Sequence, residues 1–281
     1  MTNKIKIVTD STADLPRDFV QKNEITVVPL YVNFPEQTYL DGVNIHPHEF
    51  YPLLEKTGDN LPKTSTPSVN DFLKTYQSLL QEGYEILSIH ISSGLSSTAA
   101  MAETAAKMLQ GKIRIFDSKS ISLGIGLQVV NALEMMQKNL SLEAIIEKLT
   151  EVRQRTELFF SVDTLEYLEK GGRIGKVSAL LGTILNIKPV VRVDNGIYVP
   201  LDKARNQKQA ICKMVENMIK ILGEKIPTHI AVAHGAAEEA ALTLKKMIEE
   251  NYERKIDFFG ETGPVIGVHT GPGTLGLAFT Y

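Results

Sequence analysis

The stretch that most narrows what this chain can fold into is Ile86 to Leu109, ILSIHISSGLSSTAAMAETAAKML. An apolar run (Ile86, Leu87, Ile89, Ile91) gives way to the small-residue loop Ser92-Ser93-Gly94-Leu95-Ser96-Ser97-Thr98, and then to an Ala-rich segment of high helix propensity. That order predicts strand, loop, helix. In open α/β sheets the loop at the carboxyl end of a strand borders the ligand crevice, and the following helix offers free N–H groups and the positive end of its dipole to an anion. Ser92, Ser93, Ser96, Ser97 and Thr98 supply five hydroxyls without a formal charge, enough to surround a carboxylate or phosphate. The same residues also make turns and helix caps, so the loop alone leaves both roles open.

The flanking chain repeats the alternation. Lys4–Asp10 has strand character and ends in the polar loop Asp10-Ser11-Thr12-Ala13-Asp14, with Pro16 marking a short helix. Ile25–Phe34 is expected as one Val-rich strand, edged or bulged at Pro29. Residues 35–62 show little periodicity and read as a surface excursion holding one helix near 48–56. Pro67 leaves Thr64, Ser65 and Thr66 extended, and Ser68 with Asp71 caps the amphipathic helix of Phe72, Tyr76, Leu79 and Leu80. Lys112–Asp117 is a strand, followed by helices over 120–138 and 142–155. Strands alternating with helices predict an N-terminal parallel-sheet α/β domain, residues 1–156.

Past Thr156 the pattern changes. A strand (157–162), a short helix (165–170), the run Gly171-Gly172-Arg173-Ile174-Gly175-Lys176 and an apolar helix (177–187) precede two Val- and Ile-rich runs joined by Asn195-Gly196, a hairpin signal. Helix 207–222, strand 228–234, helix 236–251 and strand 255–259 complete a C-terminal α+β domain, residues 157–281. The closing segment GETGPVIGVHTGPGTLGLAFTY sets His269 and Thr270 among glycines, which let backbone approach closely, so the pair is expected to face a cleft rather than decorate a surface hairpin.

Composition removes several function classes. A net charge of -3 and no basic tract give no reason to expect nucleic acid. One cysteine, Cys212, excludes an intramolecular disulfide and suits a reducing, cytoplasmic setting. No apolar leader and no run of about 18 apolar residues suggest a soluble chain without a transmembrane segment, and a monomer is the default. A P-loop and a G-x-S-x-G elbow are both missing. His46 and His48, separated by Pro47, make a poor metal site, so none is expected. A serine hydrolase or esterase using Ser96 and His269, with Asp10 or Asp117 orienting the ring, is the enzymatic alternative. Uncharged hydroxyl loops with a single histidine suit holding an anion better than transforming it.

Seven motifs in order, VTDSTADLP, KTSTPS, SIHISSGLSST, FDS, LEYLEKGGRIGK, NIKPVV and GPVIGVHTGPGTLG, make the chain resemble, over its whole length, the DegV family of bacterial fatty-acid-binding proteins. Thr66 departs from the glutamine common in that family. The resemblance implies a long-chain fatty acid in an apolar tunnel between the two domains, with no other cofactor. Carried over by motif, Thr64 and Ser96 would contact the carboxylate, His269 would join them, and Ser65, Ser93 and Thr270 would lie nearby. Arg173 resembles a surface residue for docking a fatty acid kinase, whose acyl-phosphate product would pass to acceptor enzymes of phospholipid synthesis. On this resemblance the chain is a carrier subunit, not an enzyme. The apolar helices 120–136 and 177–187 would line such a tunnel, though core packing explains them equally.

Overall fold

Strand and helix alternate because apolar runs of four to six residues are separated by amphipathic stretches of helical period. The computed structural model describes residues 4–181 and 187–281. Along the first half run β1 (Ile5–Asp10), α1 (Arg17–Lys22), β2 (Thr26–Val28), β3 (Tyr31–Asn33), β4 (Thr38–Leu40), α2 (Pro47–Lys56) and β5 (Lys63–Ser65). Then come α3 (Val69–Gln81), β6 (Glu85–His90), α4 (Thr98–Lys107), β7 (Ile113–Asp117), α5 (Leu123–Gln137) and α6 (Leu142–Gln154). The second half holds β8 (Thr156–Ser161), α7 (Glu166–Lys170), β9 (Lys188–Asp194), β10 (Ile197–Ala204), α8 (Gln207–Leu222), β11 (His229–His234), α9 (Glu238–Tyr252), β12 (Phe258–Glu261), α10 (Pro264–Thr270) and β13 (Leu275–Thr280).

The first half forms the expected parallel sheet, in order β2-β1-β6-β7. The second forms a six-stranded mixed sheet, β10-β9-β8-β13-β11-β12, antiparallel except where β11 meets β12. Asn195 and Gly196 both take positive φ and turn the β9–β10 hairpin, as their residue types require. Helix α5 is apolar on every side: each residue from Leu123 to Val130 is buried. It lies between the sheets, in one core that joins Ile7, Leu87 and Ile89 to Leu158, Phe160 and Ala278.

Three expectations change. Residues 25–34 are not one strand: β2 ends at Val28, and beyond Pro29 and Leu30 the chain enters a separate antiparallel sheet, β4-β3-β5. Proline lacks the N–H a continuing ladder needs. The excursion 35–62 therefore contributes a strand, β4, to that sheet. The apolar segment after Gly175 begins as a 3-10 helix, Gly175–Leu180, and the rest of the helix expected over 177–187 lies mostly outside the described residues. The glycine-rich close folds into α10 and then β13. Among the described residues no helix is long and apolar enough to cross a membrane.

Candidate functional site

Thr64 sits mid-strand in β5, opposite Val32 of β3. Side chains alternate along a strand, so Thr64 turns inward while Lys63 and Ser65 remain exposed. Facing it is α10, which begins with Gly263 as N-cap and Pro264 in the first turn and ends at Gly271, φ 72°. His269 lies in the last turn of that helix. Its Nε2 is 2.8 Å from Thr64 Oγ1. Ser96 reaches the same place from the β6–α4 loop, and Arg173 from the run after α7. All four border one cavity of about 30 Å³, walled otherwise by apolar groups such as Ile91, Leu95, Tyr198 and Ile266.

His269 Nδ1 is buried and has no hydrogen-bond partner among the described residues. Gly171 explains the burial: a Cβ there would overlap Nδ1, so only glycine lets this backbone close against the ring. Burial, with the Arg173 guanidinium nearby, pushes the His269 pKa down to about 4. Arg173 donates from NH1 to Gly171 O at 2.9 Å and from Nε to Leu95 O at 3.4 Å. It is thus held in the site wall by its own turn at Gly171, which packs on His269, and by Leu95 beside Ser96, a placement the sequence does not disclose. The arrangement offers hydroxyls, an imidazole and one fixed positive charge, which is what an oxyanion requires when taken out of water.

The serine loop divides its labour. Ser92 Oγ donates to Gly196 O at 2.8 Å, docking the β9–β10 turn onto the loop. Ser93 is exposed, its Oγ accepting from Lys119 Nζ at 2.9 Å and its N–H donating to Asp117. Ser96 alone of these three borders the cavity. Ser65 accepts from Asn33 Nδ2 at 3.2 Å, and Thr270, buried, donates to Ile266 O at 3.1 Å. Thr64, Ser96, His269 and Arg173 are brought together; Ser65, Ser93 and Thr270 are not.

A hydrolytic triad does not assemble on Ser96. Its Oγ pairs with Thr98 Oγ1 at 2.8 Å, while His269 pairs with Thr64 and, among the described residues, no carboxylate orients its Nδ1. A Ser–His–Asp chain exists elsewhere. Ser88 Oγ is 2.7 Å from His90 Nε2, and His90 Nδ1 is 2.9 Å from Asp10 Oδ2. Asp10 also accepts the N–H of Ile91 and of Thr12. Ser88, His90 and Asp10 are each 0 % exposed, and Tyr76 OH closes the far end at 2.7 Å from Ser88. Buried along its length, it ties β1 to β6. Asp10 and His90 end adjacent parallel strands, which is the signal that would have found the pair.

Fold and site together define a three-sheet α/β protein whose small pocket is lined by hydroxyls, a neutral imidazole and an arginine, rather than by a nucleophile with its base. Comparison with known proteins is specific. The profile of the DegV family, described as uncharacterised proteins, matches residues 4–281, and the chain belongs to that family. A DegV domain-containing protein of Staphylococcus aureus is 37% identical over 277 residues, covering 99% of this chain and 98% of its own. A fatty-acid-binding DegV family protein from Thermus thermophilus superposes with a TM-score of 0.92 at 36% identity, covering 99% of this chain and 100% of that one. A stearic-acid-binding protein from Eubacterium ventriosum gives a TM-score of 0.92 at 30% identity, with 98% of both chains covered.

Proposed function

We propose that this chain binds one long-chain fatty acid, its carboxylate held by Thr64, Ser96 and His269 beside Arg173, and its tail among the apolar walls between the two sheets. The observation that carries the reading is the Thr64–His269 pair closing on a cavity shared with Ser96 and Arg173. Similar structures from Thermus thermophilus and Eubacterium ventriosum are described as binding fatty acid and stearic acid. Each buried methylene is worth roughly 0.8 kcal/mol, so a tail of about 16 carbons gains on the order of 10 kcal/mol before ordering costs. Tail supplies affinity; head supplies orientation.

The finer reading is that the chain presents its acyl carboxylate to a fatty acid kinase and passes the acyl-phosphate to acceptor enzymes of phospholipid synthesis. A hollow of about 560 Å³ adjoins the head-group cavity, shares Thr64, Arg173 and His269 with it, and carries Lys63 and Lys170 on its walls. A phosphate donor entering there meets Lys63 and Arg173, while Lys170 is paired with Asp59 and Glu166. Lipid extraction and native mass spectrometry of the purified protein test the first part, and are expected to recover a long-chain fatty acid or show uptake of palmitate or oleate. Empty protein that takes up neither sinks it. Thr64→Ala and Ser96→Ala should each weaken acyl retention by about 1–3 kcal/mol; equal retention in both would remove the head-group assignment. For the second part, palmitate-loaded protein with a purified fatty acid kinase and ATP should yield acyl-phosphate faster than free palmitate does.

A further inference from the structure

A second and larger cavity, about 670 Å³, lies where the loop following β1 faces the corner between β12 and α10, and it shares no lining residue with the head-group cavity. Asp10, Asp14, Asp41 and Glu261 border it. Asp10 is engaged by His90, Ile91 and Thr12 as described. Asp14 accepts the hydroxyl of Ser122 and, at 2.9 Å, the N–H of Gly263. Asp41 is 3 % exposed, and its Oδ2 has no hydrogen-bond partner among the described residues. The two carboxylates converge on the Gly263 backbone: a Cβ there would stand 3.0 Å from Asp14 Oδ1 and 3.2 Å from Asp41 Oδ1.

The charged groups that bear on this pair are other acids, Asp10 on both and Asp14 on Asp41. Burial first, and then those neighbours, push Asp14 up to about 7 and Asp41 well above the ordinary carboxylate range. A buried carboxylate pair without a counter-charge is costly and takes either protons or a cation. Among the described residues no three His, Cys, Asp or Glu side chains converge as a metal ion would need. The remaining wall carries Arg17, Gln21 and His46 at some points and is apolar over Leu15, Val20, Val27, Phe258 and Phe259. An acidic wall holding an unmet acceptor, opposite an oily one, matches a cation with an apolar body.

We propose that this cavity is a binding site for a primary alkyl- or arylammonium, its –NH₃⁺ donating to Asp41 Oδ2 and Asp14 and its body lying against Val20, Phe258 and Phe259. The three donors of an ammonium meet the free acceptor without displacing the bonds to Ser122 and Gly263. The test is calorimetric titration of the full chain, preloaded with oleate so that the acyl site is filled, with n-hexylammonium, n-hexanol and hexanoate. Saturable binding of hexylammonium, at least about tenfold tighter than hexanol, with hexanoate inert, is the expected result. Asp41→Asn and Asp14→Asn should each weaken it by about tenfold or more. Asparagine keeps the shape of both side chains, and thermal melts of the two variants check folding; should one fail to fold, the other and the three-ligand comparison on the unsubstituted chain still decide. No saturable binding, equal binding of hexanol, or affinity untouched by the substitution overturns the proposal. Loss of oleate uptake alone would indict the acyl reading and leave this one standing.

Discussion

A histidine held near a pKa of about 4 by burial and a neighbouring guanidinium is a neutral ring at physiological pH. In the unfolded chain an imidazole takes its proton near pH 6.5. Stability tied to His269 is therefore fully present above that pH and is lost as the pH falls toward 4. An NMR titration of the ring should show a midpoint well under the ordinary histidine value, and Arg173→Ala should raise it. A bound carboxylate should raise it too, because an adjacent anion favours the imidazolium. An ordinary midpoint in the free protein would mean the ring is not enclosed as described. Gly171→Ala probes the same enclosure from the backbone side: the added methyl overlaps Nδ1, so the variant should fold yet retain fatty acid more weakly in a lipid-retention assay.

At the level of elements, α10 decides the geometry. Gly267 faces α2 so closely that a Cβ would stand 2.5 Å from the Phe50 ring and 3.0 Å from Tyr51 OH. Gly267→Ala should therefore cost about 1–3 kcal/mol in denaturant unfolding, and with His269 two residues on, acyl retention should fall with it. This helix was also the least legible part of the site in the sequence. Its glycines signalled close approach correctly, but seven residues with a glycine at the centre and a glycine cap at each end carry too little periodicity to announce a helix. The strand–loop–helix of β6 and α4 and the Asn-Gly hairpin were legible because local chemistry alone sets them. The break at Pro29 and the strand β4 were not, since a three-residue strand is defined by the partners it finds rather than by its own pattern. Thr64, Ser96 and His269 came through motif resemblance. That Ser65 stands outside follows from strand alternation once β5 is recognised. The place of Arg173 depended on its contact with Leu95 in the distant serine loop, which no local pattern encodes.

Across the whole molecule, the head-group cavity, at about 30 Å³, has room for water-sized groups and not for an acyl chain. Seating an acyl tail there requires apolar walls such as Leu95, Tyr198 and Ile266 to part, and those walls belong to both halves of the chain. Fatty acid association should accordingly be slower than about 10⁵ M⁻¹ s⁻¹, the low end for encounters without rearrangement, with a negative heat-capacity change. Hydrogen exchange should change on binding in the serine loop and in the β9–β10 turn that Ser92 holds. Fast, single-step association with unaltered exchange in both segments would show that the walls do not move.

Strand β13 lies between β8 and β11, although some 68 residues of chain separate those two neighbours and β13 follows both. During synthesis on the ribosome, every other strand of this sheet emerges while its central slot is still unfilled. The half-made sheet then offers two unsatisfied edges, so the nascent chain has reason to meet a chaperone before residues 275–280 arrive to seal it.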